Sequence, residues 1–344
     1  MISVHADQNI IFHSLKDGSL SRQLIGYNDE IVDASYLNYN SNCNSHLALA
    51  TNSSLIRVYS TLNFDARLLE GHSEIVLALD HSSDGRVLVS GSKDKTARVW
   101  TPITSEENDE SWGYGCVGLC EGHAESVGAV AMARGDGTQP TFMFTGSQDR
   151  TIKMWDLSSL PTHFSSSTEV VHCKSLTTHK AHEKDINSLD VSPNDRFLVS
   201  GSQDRTANIY EIIYTSARGE LKLLGTCKGH KRGVWCVRFS RHERVVATGS
   251  GDKTVKLWSM DDYSCLRTFE GHTNSVLRVD WLRGVGGLQL VSAGSDGLLK
   301  VWNVKEEECV ATLDGHEDKV CFLMDGEIII FLTDGLGVGV GSEL

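Results

Sequence analysis

Five stretches of this chain end alike: LVSGSKDKTARVW (88–100), FTGSQDRTIKMW (144–155), LVSGSQDRTANIY (198–210), ATGSGDKTVKLW (247–258) and VSAGSDGLLKVW (291–302). In each, an aspartate stands six positions before a terminal aromatic: Asp94/Trp100, Asp149/Trp155, Asp204/Tyr210, Asp252/Trp258 and Asp296/Trp302. Upstream lies a small residue followed by histidine: Gly71-His72, Gly122-His123, Ala181-His182, Gly229-His230 and Gly271-His272, with a sixth pair, Gly315-His316, near the end. Histidine and aromatic are 28, 32, 28, 28 and 30 residues apart, and successive histidines 51, 59, 48, 42 and 44. RVLVSGS and TVKLW alternate apolar and polar residues over the length of a strand. K-D-K, Q-D-R and S-D-G between them suit tight turns, because Asp bonds its own backbone and Gly accepts positive φ.

A period in the forties with GH and W-D-type ends is the signature of a four-stranded propeller blade, and the chain resembles the WD40 repeat family over nearly its whole length. The fold expected is all-β, a seven-bladed WD40 β-propeller counted from Gly26. Its first blade (26–59) is degenerate, with Tyr27 in the histidine's place and Tyr59 in the tryptophan's. Its last blade, from about residue 314, is incomplete, offering strands VCFLM and EIIIFLT across an Asp325-Gly326 turn and no closing tryptophan. Residues 1–24 read as remnant strands of a preceding blade or propeller, and 25–344 as the propeller.

Composition narrows the function. The 344 residues carry 32 basic and 45 acidic side chains, a net charge of −13, which argues against a general nucleic-acid or anionic-membrane binder. Met1 to Ser14 has no basic start and no apolar core, and the longest apolar run, Ile328 to Leu332, is far short of a membrane span. Nine cysteines without a CxxC pair suggest free thiols in a reducing compartment.

His, Ser or Thr, and Asp recur in each good repeat: His72, Ser90, Asp94; His123, Thr145, Asp149; His182, Ser200, Asp204; His230, Thr248, Asp252; His272, Ser292, Asp296. A hydrolytic triad needs one unique, cleft-exposed site with an oxyanion hole, not five copies. The resemblance implies instead the structural tetrad of WD40 blades, completed by Trp100, Trp155, Tyr210, Trp258 and Trp302. Its logic is the satisfaction of buried groups: the indole donates, the hydroxyl accepts and donates onward, and histidine relays to aspartate. No acid, base or nucleophile stands outside these sets, so no enzyme is expected.

Other motifs yield to context. GYGCVG (113–118) matches a dinucleotide fingerprint, but it precedes a GH pair on an outer strand and not a helix. His172, Cys173, His179 and His182 could suggest zinc, yet His182 belongs to a tetrad and no CxxC accompanies them, so no metal or other cofactor is expected. ITSEENDES (103–111) and LSSLPTHFSSST (157–168) read as solvated loops. KGHKRGVWCVRFSRHER (228–244) is the one basic stretch, with Trp235 in its midst, and could hold RNA or a phosphopeptide. Binding in a propeller falls to the rim where loops between blades meet the turns between second and third strands. The rim candidates are Glu74, Glu125, Lys184, Arg232, Asn274 and Asp318, joined by Lys93, Gln148 and Gln203. Their mixed signs name no ligand.

Beyond the generic repeat, GYNDEIVD (26–33), ATNSSLIRVYS (50–60), EGHSEIVLALD (70–80), HEKDINSLDVSPNDRFLVSGSQDRTA (182–207) and GSDGLLKVWNVKEEECVATLDGHEDKV (294–320) are similar, in order, to the second propeller of the transducin beta-like 3 type of nucleolar protein. That resemblance implies a non-catalytic scaffold subunit of the small-subunit processome and U3 small nucleolar RNP. It would act in pre-rRNA processing and 18S rRNA maturation, in the nucleus and nucleolus. Other WD40 subunits are the implied partners, with contact to pre-rRNA or U3 RNA within the complex, and no membrane or small-molecule substrate. The family would continue past Val320 with a complete last blade, where this chain reads GEIIIFLTDGLGVGVGSEL. The alternative is a generic interaction scaffold, such as a ubiquitin-ligase substrate receptor or signalling adaptor. The receptors share a W-D-x-R box, whereas Trp155-Asp156 is followed here by Leu157-Ser158, and no N-terminal coiled coil suits a G-protein β-like subunit.

Overall fold

Strand alternation is visible directly in burial: Ile56, Val58 and Ser60 of one strand are buried while Arg57 and Tyr59 between them are half-buried. The computed structural model describes residues 2–5, 9–13, 20–25, 30–38, 45–61, 63, 65–103, 112–135, 140–165, 167–215, 218–282, 288–314, 320–323, 331–332 and 338–339. Every regular element among them is a β-strand, and most strands fall into successive antiparallel blades of four.

Blade one comprises Ile31–Asn38, Ser45–Thr51, Ile56–Ser60 and Ala66–Leu69, and blade two Val76–His81, Leu88–Ser92, Ala97–Pro102 and Tyr114–Cys120. Blade three is Val127–Met132, Phe142–Ser147, Thr151–Asp156 and Lys174–Lys180, and blade four Ile186–Val191, Phe197–Ser202, Thr206–Thr215 and Arg218–Lys228. Blade five is Val234–Phe239, Val245–Ser250, Thr254–Ser259 and Cys265–Glu270, and blade six Val276–Leu282, Gln289–Gly294, Leu298–Asn303 and Glu308–Asp314. Each is a meander in chain order.

The expectation of seven blades is thus corrected to six. The strands expected to build the last blade do not pair with each other. Val320–Leu323 instead runs antiparallel to Ile2–His5, in a sheet that continues through Asn9–His13 and Leu20–Ile25. Among the described residues, Phe331–Leu332 pairs with Val338–Gly339. A sequence period reports each chain segment's own hairpins and carries no term for pairing between the two ends.

The chain divides into two compact units, Val32–Asp204 with Asn208–Thr226, and Met1–Ile31 with Arg205–Ala207 and Cys227–Leu344. In the first, apolar layers form between successive sheets: Leu37, Ile56, Val58, Leu79 and Trp100 between blades one and two, and Val89, Val99, Val130, Met143 and Trp155 between two and three. In the second, Cys236, Leu257, Phe269, Val276, Trp281 and Trp302 join blades five and six. No blade covers both of its own faces, so each neighbour supplies what the sheet lacks.

The glycine of the SGS or TGS segment sets how closely the sheets approach. A Cβ on Gly91 would lie 2.8 Å from Val127 Cγ1 and 2.9 Å from the Val127 carbonyl oxygen, and one on Gly249 would lie 2.9 Å from Val276 Cγ1. A β-bulge recurs near the start of the first strand in blades two to six, between Val76 and Ala78, Val127 and Ala129, Ile186 and Ser188, Val234 and Cys236, and Val276 and Arg278. The residue inside it is turned out of the ladder's alternation.

Gly91→Ala is expected to destabilise the fold by about 1–3 kcal/mol through overpacking. Gly128→Ala, whose new Cβ would meet nothing nearer than the Ile186 carbonyl oxygen at 3.6 Å, should stay within about 0.5 kcal/mol of the parent. Urea denaturation of the two variants separates these outcomes.

Candidate functional site

Each tetrad is assembled from a loop entering a blade, its second strand, the turn after it and its third strand. In blade two, Trp100 Nε1 donates to Ser90 Oγ (2.9 Å), Ser90 Oγ lies 2.8 Å from His72 Nε2, and His72 Nδ1 lies 2.8 Å from Asp94 Oδ2. Blade three repeats this through Trp155, Thr145, His123 and Asp149 at 2.8, 2.7 and 2.8 Å, and blade five through Trp258, Thr248, His230 and Asp252 at the same three distances. In blade six Trp302, Ser292 and His272 stand at 2.8 and 2.7 Å, and His272 Nδ1 is 3.0 Å from Asp296. One protonation pattern satisfies every atom: indole N–H to hydroxyl oxygen, hydroxyl hydrogen to Nε2, and Nδ1–H to carboxylate, with the imidazole neutral.

The carboxylates do more than orient histidine. Asp94 Oδ2 accepts the Ser73 amide, and its Oδ1 accepts the Thr96 amide and hydroxyl at 2.9 and 2.7 Å. Burial alone would raise these acids, but hydrogen bonds from the histidine and threonine outweigh it and hold Asp94 and Asp252 well below the usual carboxylate range. The same balance lowers Asp149 to about 2. Burial also lowers His123 and His272, against the pull of their aspartates.

Blade four departs from the pattern. His182 keeps Ser200 at 2.7 Å and Asp204 at 2.9 Å. Tyr210, however, sends its hydroxyl to the Ala181 carbonyl (3.4 Å) and accepts from Asn208 Nδ2 (3.2 Å), and burial pushes its phenol up to about 12. Gly71, Gly229 and Gly271 each sit where a Cβ would meet the tryptophan Cη2 at 3.2 Å. The shorter phenol goes with the one position of this set that carries a methyl, Ala181.

The tetrads place the rim. Lys93 N donates to the Ile75 carbonyl (2.8 Å), Gln148 N to Ser126 (3.0 Å) and Gln203 N to Asp185 (3.0 Å), which sets Lys93 beside the Glu74 loop, Gln148 beside Glu125 and Gln203 beside Lys184. In the second unit Gly251 N donates to Gly233 (3.0 Å) and Ser295 N to Ser275 (2.8 Å), next to Arg232 and Asn274. Of these candidates Gln203 is half-buried and the other described ones are exposed, while Asp318 lies outside the described residues. Lys95 reaches the next loop, donating to the Ala124 carbonyl at 2.7 Å with Glu125 at 3.9 Å.

Two features escape sequence reasoning. Ser92, Ser147, Ser202 and Ser250 bond the loop carbonyls of Glu74, Glu125, Lys184 and Arg232 at 3.0 to 3.2 Å; their signal was the recurring second serine of the G-S step. Arg134 bridges Asp80 and Asp190, both at 3.2 Å, joining blades two, three and four. It occurs once, so no repeat announces it.

The tempting motifs disperse. Gly115 admits the Phe164 ring, which a Cβ would overlap, and Gly118 faces Leu160 Cδ1 and Cys173 Sγ. The glycine run therefore seats residues 157–173 on blade two, where Val171–His172 adds a parallel fifth strand. The 157–168 loop is accordingly packed in part, with Leu160 buried. Of the zinc-like set, His172 faces Glu121 (3.3 Å) and His179 packs edge-on to Tyr210. Among the described residues no cluster of metal-ligating side chains is present, and seven cysteines are free thiols.

The family model described as "WD40: WD domain, G-beta repeat" matches residues 65–101, 114–156, 173–211, 221–259 and 263–303, more than half of the chain. The chain is 41% identical over 214 residues to transducin beta-like protein 3 of Rattus norvegicus and 40% identical over the same length to that of Homo sapiens, 62% of this chain and 25% of each relative. It is 37% identical over 179 residues to the U3 small nucleolar RNA-associated protein 13 of Saccharomyces cerevisiae, 48% of this chain and 21% of that one. The chain thus spans about a quarter or less of the length of the relatives it matches.

Acid should weaken this fold in two stages. His123 and His272 are held below their ordinary 6.5, so the unfolded chain binds their protons first and stability declines as pH falls below 6.5. Asp149 falls from 3.8 to about 2 in the fold, so its contribution is complete above about 4 and is lost as pH falls toward 2. Calorimetric melting points between pH 7 and 2 report both. Tyr210→Trp alone should cost about 1–3 kcal/mol by crowding Ala181, whereas with Ala181→Gly it should recover most of that, a favourable coupling readable in a double-mutant cycle.

Proposed function

This chain belongs to the WD40, G-beta repeat family, and on that premise we propose that it is a non-catalytic scaffold in ribosome biogenesis. It acts within the small-subunit processome, in pre-rRNA processing and 18S rRNA maturation, in the nucleolus. The observation that carries this reading is the likeness of one chain to both a mammalian transducin beta-like protein 3 and a yeast protein named for its association with U3 small nucleolar RNA. The way the five histidine sets are used supports the non-catalytic reading. Five histidines with acid and hydroxyl partners look like catalytic sets, but each hydroxyl lies buried between an indole or phenol and an imidazole, and each histidine is closed off by a fully engaged carboxylate. None presents a nucleophile to solvent.

Partners are then other protein subunits of the assembly, held through extended rim loops. RNA contact, where it occurs, is confined to local basic surface on an otherwise acidic chain. A ubiquitin-ligase receptor is the weaker reading, since Trp155-Asp156 lacks the following arginine box.

Depletion of the gene product followed by RNA blotting should show accumulated primary pre-rRNA transcript and selective loss of 18S, with large-subunit rRNA unchanged. Unaltered precursors under verified depletion, with no paralogue present, would overturn the assignment.

A further inference from the structure

The rim of blade five is built differently from the others. Where blades two, three and four place Lys93, Gln148 and Gln203 in the turn facing the incoming loop, blade five has Gly251. Its backbone does not demand glycine, because Gly251 is absent from the residues at positive φ. Space does: a Cβ there would lie 3.1 Å from Trp235 Nε1, 3.5 Å from Arg232 Cβ and 3.7 Å from Ser275 Oγ. The glycine makes room for an indole. Trp235 itself occupies the bulge between Val234 and Cys236, which turns it out of the ladder's alternation. It is 38% exposed, the one aromatic among the exposed large hydrophobic residues described. The matching bulge positions are Leu77, Gly128, Asn187 and Leu277, none of which offers a ring.

The exposed charged side chains of its loop and turn are cationic. Lys231 and Arg232 in the loop and Lys253 in the turn are all exposed, and none is in an ion pair among the described residues. The equivalent triplets are Ser73, Glu74, Lys95; Ala124, Glu125, Arg150; Glu183, Lys184, Arg205; and Thr273, Asn274, Gly297. Blade five alone carries a cation at all three. The nearest acid, Asp252, is committed to His230 and to the Lys231 amide at 2.8 Å each.

We infer that Trp235, Arg232, Lys231 and Lys253 form a docking surface for a short acidic segment of a partner protein, with an apolar or aromatic side chain of that segment against the indole. This deepens the scaffold reading and rests on it. Magnitude favours a peptide over RNA. Single-stranded nucleic acid is held by a cationic groove that follows many phosphates and by several stacking rings. Here there are three cations and one ring, followed in the same unit by the uncharged Thr273, Asn274 and Ser295. A short peptide needs only a few charge-assisted hydrogen bonds and one apolar anchor.

The test uses the full chain and a fluorescein-labelled, glutamate-rich peptide with a central phenylalanine, read by anisotropy beside a lysine-for-glutamate analogue and an oligouridine of equal length. Saturable binding of the acidic peptide alone is expected, falling with salt and weakened about tenfold or more by Arg232→Ala, which removes a charge-assisted hydrogen bond, or by Trp235→Ala, which removes the aromatic anchor. Both positions are exposed, and an unchanged melting point verifies folding. Lys305→Ala, on the exposed turn before Glu308–Asp314 and away from the rim, should leave binding intact. Preference for oligouridine, no saturable peptide binding, or binding indifferent to Arg232→Glu and Trp235→Ala would each overturn the inference. Peptide binding that survives while depletion leaves pre-rRNA unchanged would remove the ribosomal assignment and leave the surface standing.

Discussion

The bond from a buried histidine to the aspartate of a tight turn is the contact on which the rest of each blade depends. It crosses from the loop that enters a blade to the turn inside it, segments 22 to 26 residues apart along the chain. Without it, the indole, the hydroxyl and the imidazole would be polar atoms in a dry interior, each costly to leave unpaired. With it, the turn is fixed so firmly that the residue after the aspartate is held in the left-handed region even where it is not glycine, at Lys95, Arg150, Arg205 and Lys253. Local strain of this kind persists because the surrounding hydrogen bonds over-determine the turn.

That arrangement separates stability from recognition. Histidine, hydroxyl and ring face inward and repeat, so they specify a blade and say nothing about a ligand. The loop residues that the aspartate pins by their amides, Ser73, Ala124, Glu183, Lys231 and Thr273, point their side chains outward from a backbone that cannot wander. Their chemistry is free to vary because their position is already determined. Rim surfaces built this way bind with little ordering cost, which is what a scaffold requires of loops.

Much of this was legible in the sequence, for a physical reason. Residues that act once per blade recur at nearly one spacing, so His230, Thr248, Asp252 and Trp258 stood out by their offsets, and the resemblance to WD40 repeats supplied their joint role. What recurs is readable. Arg134 was not, because it spans three blades and is needed once. The pairing of Val320–Leu323 with Ile2–His5 was not, because a ladder between distant segments has no period. The glycine run at 113–118 was legible as an outer strand and not as a phosphate loop, but what it serves was not: its small residues make space for Phe164 and Leu160, some forty to fifty residues further along, and the sequence records only that side chains are missing, not what fills the gap.

Paired absences carry information when they are read together. Glycine before histidine accompanies tryptophan in blades two, three, five and six: in two, five and six a Cβ there would crowd the far edge of the indole at 3.2 Å, and in three, five and six the backbone also lies at positive φ. Alanine accompanies tyrosine in blade four, where the ring is shorter. Gly251 and Trp235 are the same relation moved to the surface: a missing side chain in one strand turn and a large ring in the adjacent strand. Inside the blade such a pair closes a layer that water must not enter. At the rim it has no layer to close, and covering the part of the indole left in solvent would bury further apolar surface. The surrounding cations give that cover its charge, so the local packing rule that builds the interior also marks where the molecule is incomplete by itself.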